Sequence, residues 1–293
     1  RPPPAATVNP SPLGAILRHK TTRMGTLNCQ TAARQGDIDV LAHDIETAGL
    51  DLCALQEIRE PGHGTRHITT LSGKTWTFTW SGDPVRHARG VGFLLSPDLT
   101  RCLLGRPHFS SDRVIALTLD GLVRTTIIAV YAPTEGHPPQ DKEDFYRCLN
   151  ETIRAVPPSH CVIIMGDFNA RVGSDNEAWP NILGTHSTLP ANWRCNANNA
   201  PPATPGLLPP KPSDRTPNDN GTRLLSLCQE WRLTVTNSLF PHRPSHKATW
   251  YSPGGARAIL DYILVSQRCR KWIHNTQVRP SAISHPTDKK SQI

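Results

Sequence analysis

Three stretches of this 293-residue sequence carry an apolar run onto a carboxylate or a carboxamide. Glu57 closes ALQE, Asp167 and Asn169 close IIMGDFN, and Asp261 lies inside AILDY. Apolar, β-branched runs of this length read as buried strands, and strands of an α/β protein deliver functional groups at one edge of their sheet. Carboxylates gathered at such an edge suit Mg²⁺, which prefers hard oxygen donors and keeps several waters for a substrate phosphate. An ion held there can polarise a phosphoryl oxygen and offset charge on a leaving oxygen. Taken singly, each residue has an ordinary explanation. A Glu at a strand end is usually a solvated cap, and Asp167 could simply brace a turn. Asp261, between Leu260 and Tyr262, is harder to explain that way, because a carboxylate in an apolar run needs a partner.

The elements that would position these groups can be read from periodicity. Asp37-Ile38 opens a helix with Ile38, Leu41, Ile45 and Ala48 on one face, ending at Gly49. DLCALQEI, KTWTFTW, GVGFLLS, VIALTLD and VRTTIIAVYAP read as strands, followed by an amphipathic helix DKEDFYRCLNETIRAV and the strand CVIIMGDFN. GTRLLSLCQEWRL reads as a helix, and LTVTNS, HKATWYS and AILDYILVS read as strands. The alternation is α/β in character. Residues 1–20 are Pro-rich and then basic, and read as a disordered lead-in. One domain is expected over 21–280, with a Pro/Asn-rich insertion at about 187–217 and a divergent end at 281–293.

Composition narrows the setting. The formal charge of +8 suits polyanionic partners. None of the eight cysteines forms a C-x-x-C pair or a zinc-site spacing, so they read as free thiols of a reducing compartment. No apolar run is long enough to span a bilayer, and the first residues lack the apolar core of a signal peptide. The expected location is therefore nuclear or cytoplasmic, with no membrane partner.

Gln56-Glu57, Tyr131-Ala132-Pro133, GDFNARVG at 166–173 and LDYILVS at 260–266 occur in an order that resembles the endonuclease/exonuclease/phosphatase (DNase I-like) superfamily. The resemblance runs from about Leu27 to Val278. GVGFLLS, the DNG-x-RLLSLC run at 219–228, TNSLF at 236–240 and HKATWYSPGG at 246–255 are similar to the AP-endonuclease-like domains of RTE-like non-LTR retrotransposons and to craniofacial development protein 2-like proteins. The resemblance implies a four-layer α/β/β/α sandwich, with two mostly antiparallel sheets face to face and helices outside. It implies a phosphodiesterase using Mg²⁺, with Mn²⁺ as a substitute, that nicks double-stranded DNA by metal-assisted water attack. In the parent element such a domain accompanies a reverse transcriptase. Carried residue by residue, Glu57 matches the principal metal ligand and Asn28 the group that supports it. Tyr131 matches a residue placed against the scissile phosphate. Asp167 matches the group that orients or deprotonates the attacking water, close enough to share the metal, and Asn169 a contact to phosphate and to Asp167. Asp261 matches the carboxylate that fixes the tautomer of a catalytic His. A phosphatase or lipid phosphodiesterase of the same superfamily, and an impaired copy that only binds nucleic acid, are the alternatives.

The sequence departs from the family in two places. The family's Ser-Asp-His motif, followed by an apolar strand, corresponds here to SAISHPTDKKSQI, in which Ser284-His285 has no intervening Asp and Asp288 follows the His. Either the region has shifted or been cut short, or His285 reaches the site through an altered loop; the missing terminal strand favours the first. Ala256, Arg257 and Ala258 stand where repair enzymes of this fold place an aromatic against an abasic sugar, which favours ordinary duplex DNA. Trp250 in KATWYS reads as a core residue rather than a DNA contact.

Overall fold

Side chains of a strand alternate between its two faces, and here that alternation builds a layered molecule. The computed structural model describes residues 21–30, 32, 34, 36–190, 215–252 and 256–279. Strands β1 (Met24–Asn28), β2 (Leu52–Gln56), β3 (His63–Thr69), β4 (Thr75–Ser81) and β5 (Val91–Leu95) form one sheet in the order β1-β2-β5-β4-β3. Strands β6 (His108–Ser111), β7 (Val114–Leu119), β8 (Thr125–Tyr131), β9 (Cys161–Asp167), β10 (Leu233–Val235) and β13 (Asp261–Ser266) form the other, in the order β10-β13-β9-β8-β7-β6. Each sheet has one parallel pair, β1 with β2 and β8 with β9, and the remaining pairs are antiparallel. Strands β11 (Trp250–Tyr251) and β12 (Arg257–Ala258) pair separately.

Three apolar clusters correspond to the three spaces between four layers. Leu52 and Ala54 of β2, Phe93 of β5, Ile127 and Ala129 of β8, and Ile163 and Met165 of β9 meet between the sheets. The alternate residues Cys53, Leu55 and Leu94 turn outward, to Ile38, Leu41, Ala42 and Ile45 of helix α1 (Asp37–Thr47). On the second sheet Ile128, Val130, Ile164 and Leu264 turn outward to helix α3 (Pro139–Arg154), through Phe145, Leu149 and Ile153, and to helix α4 (Asp219–Glu230), through Leu224, Leu225 and Cys228. The one-turn helix α2 (Pro97–Thr100) is capped by the Ser96 hydroxyl, which accepts from the Leu99 amide. The α/β/β/α sandwich expected from the sequence is the architecture observed.

Several local readings differ. HGTRHIT of β3 and HFSS of β6 pair as strands although β3 is mostly exposed and β6 is short, half-buried and mostly polar, so neither gave a hydrophobic period. LTVTNS leaves the sheet after Val235 and tightens into a 3₁₀ turn at Thr236–Ser238. There Ser238 Oγ donates to the Val235 carbonyl at 2.6 Å, a side-chain bond that competes with continued pairing. HKATWYS pairs only at Trp250–Tyr251, and Trp250 is 43% exposed rather than buried in a core. AILDYILVS is split: Ala258 closes β12, and β13 starts only at Asp261, where the Leu260 and Asp261 amides both donate to Thr249 Oγ1. The lead-in, most of the Pro/Asn-rich insertion (191–214) and the divergent end with Ser284, His285 and Asp288 lie outside the described residues. Among the described residues no helix is long and apolar enough to cross a membrane.

Candidate active site

The sheets are stacked so that β1, β2, β8 and β9 all end at the same edge. Asn28 is the last residue of β1, Glu57 follows β2, Tyr131 ends β8 and Asp167 ends β9. Strand β13 runs the other way and begins there, so Asp261 stands directly opposite Asp167 in the register, as Tyr131 does on the other side. Five residues from five segments of the chain are thus delivered to one place by strand direction alone.

Their hydrogen bonds join them. Asn28 Nδ2 donates both to Glu57 Oε1 at 2.9 Å and to Asp167 Oδ2 at 3.0 Å. The Asn28 carboxamide is itself aimed by its Oδ1, which accepts from the Gln30 amide at 2.9 Å. Tyr131 donates its hydroxyl to Glu57 Oε1 at 3.1 Å. The Asn169 amide donates to Asp167 Oδ1 at 2.8 Å, and its side chain donates to the Ala132 carbonyl at 2.9 Å, tying the loop after β9 to the loop after β8. Glu57 and Asn169 both have positive φ, 55° and 47°. Asn tolerates that region, but for Glu it is costly, and such outliers collect at functional sites. Gly166, at φ 150°, is imposed by close approach: a Cβ there would stand 2.0 Å from the Val130 carbonyl oxygen.

Electrostatics follow from burial and crowding. Asp167 is 7% exposed, and burial, with the charge of Glu57 adding to it, raises its carboxyl to about 6 even though the Asn169 amide and Asn28 oppose the rise. Asp261 is pushed well above the usual carboxylate range by burial and by Asp167, against a hydrogen bond from Thr249. Burial and the charge of Glu57 raise the Tyr131 phenol, so it remains a protonated donor.

Carboxylates crowded under mutual repulsion, with Glu57 and Asp167 both held by the Asn28 carboxamide, form an arrangement whose chemistry suits a cation. The model of the Endonuclease/Exonuclease/phosphatase family matches residues 25–281, which spans every element that builds this edge. The chain belongs to that family. Craniofacial development protein 2 of Bos taurus is 26% identical over 261 residues, which cover 88% of this chain and 38% of that relative. The chain therefore spans well under half of that protein. The endonuclease domain of TRAS1, a telomere-specific non-LTR retrotransposon, shares the fold at a TM-score of 0.53 and 11% identity, over 91% of this chain and 94% of that one. The AP endonuclease LMAP from Leishmania major does so at 0.57 and 13%, over 92% and 86%.

This member of the endonuclease/exonuclease/phosphatase family also has site residues that periodicity and motif spacing missed. Arg59 pairs with Glu57 at 3.3 Å, on the oxygen that Asn28 and Tyr131 leave free. Arg113 donates to the Tyr131 carbonyl at 3.0 Å and lies over its ring. Asn237 spans the start of β13, donating to the Asp261 carbonyl at 3.2 Å and accepting from the Ile263 amide at 2.9 Å. Fully buried Asn220 donates to the carbonyls of Pro133 and Asn169, at 2.9 and 3.0 Å. Asn220 and Asn237 lie within DNG-x-RLLSLC and TNSLF, so the resemblance flagged their segments without giving either residue a task.

Proposed function

We propose that this chain is a Mg²⁺-dependent phosphodiesterase that nicks duplex DNA, an endonuclease of the retroelement type. The observation that carries the reading is the Asn28 carboxamide shared between Glu57 and Asp167, with Tyr131 on the same Glu57 oxygen. Glu57 and Asp167 are the residues that would hold Mg²⁺, with Mn²⁺ able to replace it. Among the described residues no group of three His, Cys, Asp or Glu side chains is arranged around a metal position. The donor set still fits, because Mg²⁺ is commonly held by one or two carboxylates and completes its shell with water and phosphate. When bound, the ion supplies positive charge to the phosphoryl and leaving oxygens.

The chain's own residues then divide the remaining work. Asp167, with one oxygen fixed by the Asn169 amide and the other by Asn28, is the base that orients a water and takes its proton. Tyr131 holds Glu57 in place and offers a hydroxyl at the phosphate. Asn169 contributes a side chain beside the same group. Asp261, braced by Thr249, is the carboxylate for an imidazole, and His285 is the residue proposed for it. The structural likeness to a retrotransposon endonuclease domain and to an AP endonuclease supports a DNA substrate, and the Ala256–Ala258 stretch favours duplex without an abasic sugar. A reverse transcriptase domain in the parent element, and a site of action in the nucleus or cytoplasm, belong to the same proposal.

Supercoiled plasmid incubated with the chain and Mg²⁺ is expected to relax to the nicked circle, and EDTA to stop the reaction. Tyr131→Phe is expected to slow nicking by about 10- to 100-fold, because it removes the hydroxyl at the phosphate and one of the two donors to Glu57 Oε1, leaving Asn28 as the other. Hydrolysis of a phosphoinositide or of sphingomyelin with no plasmid relaxation would reverse the order of readings. Salt-sensitive DNA binding without any relaxation at saturating Mg²⁺ would establish the impaired copy instead.

A further inference from the structure

We propose a second nucleic-acid site, for a single strand, at the end of the sandwich opposite the carboxylates. Six-residue β13 separates the two, placing Ser266 about 17 Å from Asp261 along the strand. The chain leaves β13 in a 3₁₀ turn, Gln267–Trp272. Cys269 is buried against the inter-sheet core and Ile273 packs on it, four residues on. That anchoring turns Arg268, Arg270, Lys271 and Trp272 outward, where all four are exposed.

Together with Leu239, Phe240 and Ile273 these cations line a hollow of about 470 Å³. Its size is in the range that takes a small ligand or one unstacked base, and its lining combines an apolar floor with a positive rim. Residues 267–279 contain no Asp or Glu. Among the described residues no carboxylate pairs with Arg268, Arg270 or Lys271, whereas Arg89, Arg101, Arg124, Arg147 and Arg223 each hold one. Arg268 is aimed by its bond to the His160 carbonyl, which leaves the rest of its fork of donors free. The Trp272 ring is 49% exposed, with Lys271 Nζ 5.7 Å from its centre. Cations without a carboxylate partner draw phosphates, and the exposed indole of Trp272 on the same turn offers stacking that duplex DNA, with its bases already stacked, cannot use. The ligand chemistry is a phosphodiester strand with unpaired bases, and RNA and single-stranded DNA both supply it.

The inference does not rest on the proposed nicking activity, and it is tested in EDTA with the whole chain. Short fluorescein-labelled oligo(U) and oligo(dT) probes are read by anisotropy across a salt series, and the ratio of their affinities assigns the source as RNA or DNA. The R268E/R270E/K271E chain is expected to bind either probe more than about ten-fold more weakly, with the log–log salt slope reduced by about 2. Trp272→Ala is expected to weaken binding about ten-fold, with Trp272→Phe retaining most of it. Plasmid nicking should be unchanged in all of these variants. Unaltered probe affinity in the triple variant would overturn the site. So would duplex binding that needs these cations but not Trp272, or capture by phosphatidylserine vesicles, through the same residues, that exceeds oligonucleotide binding.

Discussion

Asp167→Asn is expected to lower metal-dependent nicking by about 10³-fold or more, and to remove a pH dependence of stability that the unaltered chain shows without metal. On the proposed reading the first effect follows from losing both the base and one of two carboxylates that would face the cation; Glu57→Ala should match it by removing the other. The second follows from burial. In the folded chain Asp167 keeps its proton up to about 6, against an ordinary value of 3.8. Between those values the folded state binds more protons than the unfolded one, so this group costs stability as pH rises through the window and goes on costing it above. The cost is on the order of 2–3 kcal/mol by neutral pH. Other carboxyls titrate in the same range, so the quantity to measure is the difference in unfolding free energy between variant and parent, by urea melts in EDTA from pH 4 to 7. That difference should move in the variant's favour as pH rises, and Asp261, relieved of the neighbouring charge, adds to it in the same direction. Mg²⁺ should raise the melting temperature of the parent and much less that of the variant. A difference that stays flat with pH, or equal stabilisation of both chains by Mg²⁺, would remove Asp167 from the metal site.

That coupling explains why some of the site could be read before the fold and some could not. Glu57, Asp167 and Asp261 stood out because a carboxylate in or against an apolar run breaks a local rule and has to be compensated. The period-2 runs also contain the layering: Cys53 and Leu55 face α1 while Leu52 and Ala54 face the second sheet, and DLCALQEI already holds both sets. Edge strands such as HGTRHIT bury little, so their pairing leaves no trace in hydrophobicity. What compensates the carboxylates was illegible from residue type, and Asn28 as the support of Glu57 came only through the resemblance. Asn28 acts on Asp167 across 139 positions, and Tyr131 on Glu57 across 74. Such bonds are made by topology, and residue type alone does not announce them. Thr249 and Asn237 are the sharpest cases, since a Thr in KATWYS and an Asn in TNSLF look like ordinary strand and turn residues until β13 is seen to start between them.

Asn220 depends most on the finished fold, and its replacement is the second large effect expected. The N-terminus of α4 is pressed onto the loop after β9: a Cβ on Gly221 would meet the Arg171 carbonyl oxygen at 1.9 Å, and Asn218 Oδ1 accepts from both the Gly221 and Arg171 amides. From that position the Asn220 carboxamide reaches the Pro133 carbonyl, two residues beyond Tyr131, and the carbonyl of Asn169 itself. Its own Oδ1 is buried with no partner among the described residues, so the chain accepts the cost of an orphaned acceptor to keep two donors. Asn220→Ala removes the donor to one buried and one part-buried carbonyl, at about 1–3 kcal/mol each, and should lower the melting temperature by roughly 5–15 °C. Stability loss alone would be a structural result. The positioning role demands more: assayed well below its melting temperature, the variant should nick about 10- to 100-fold more slowly, because loops displaced by a fraction of an ångström misplace Tyr131 and Asn169. Duplex affinity in EDTA should hold, since no phosphate contact is removed, and Asn220→Ser, which retains one donor, should fall between the two. A variant that melts early yet nicks at the parental rate would leave Asn220 as a brace of the α4 junction with no hold on the chemistry.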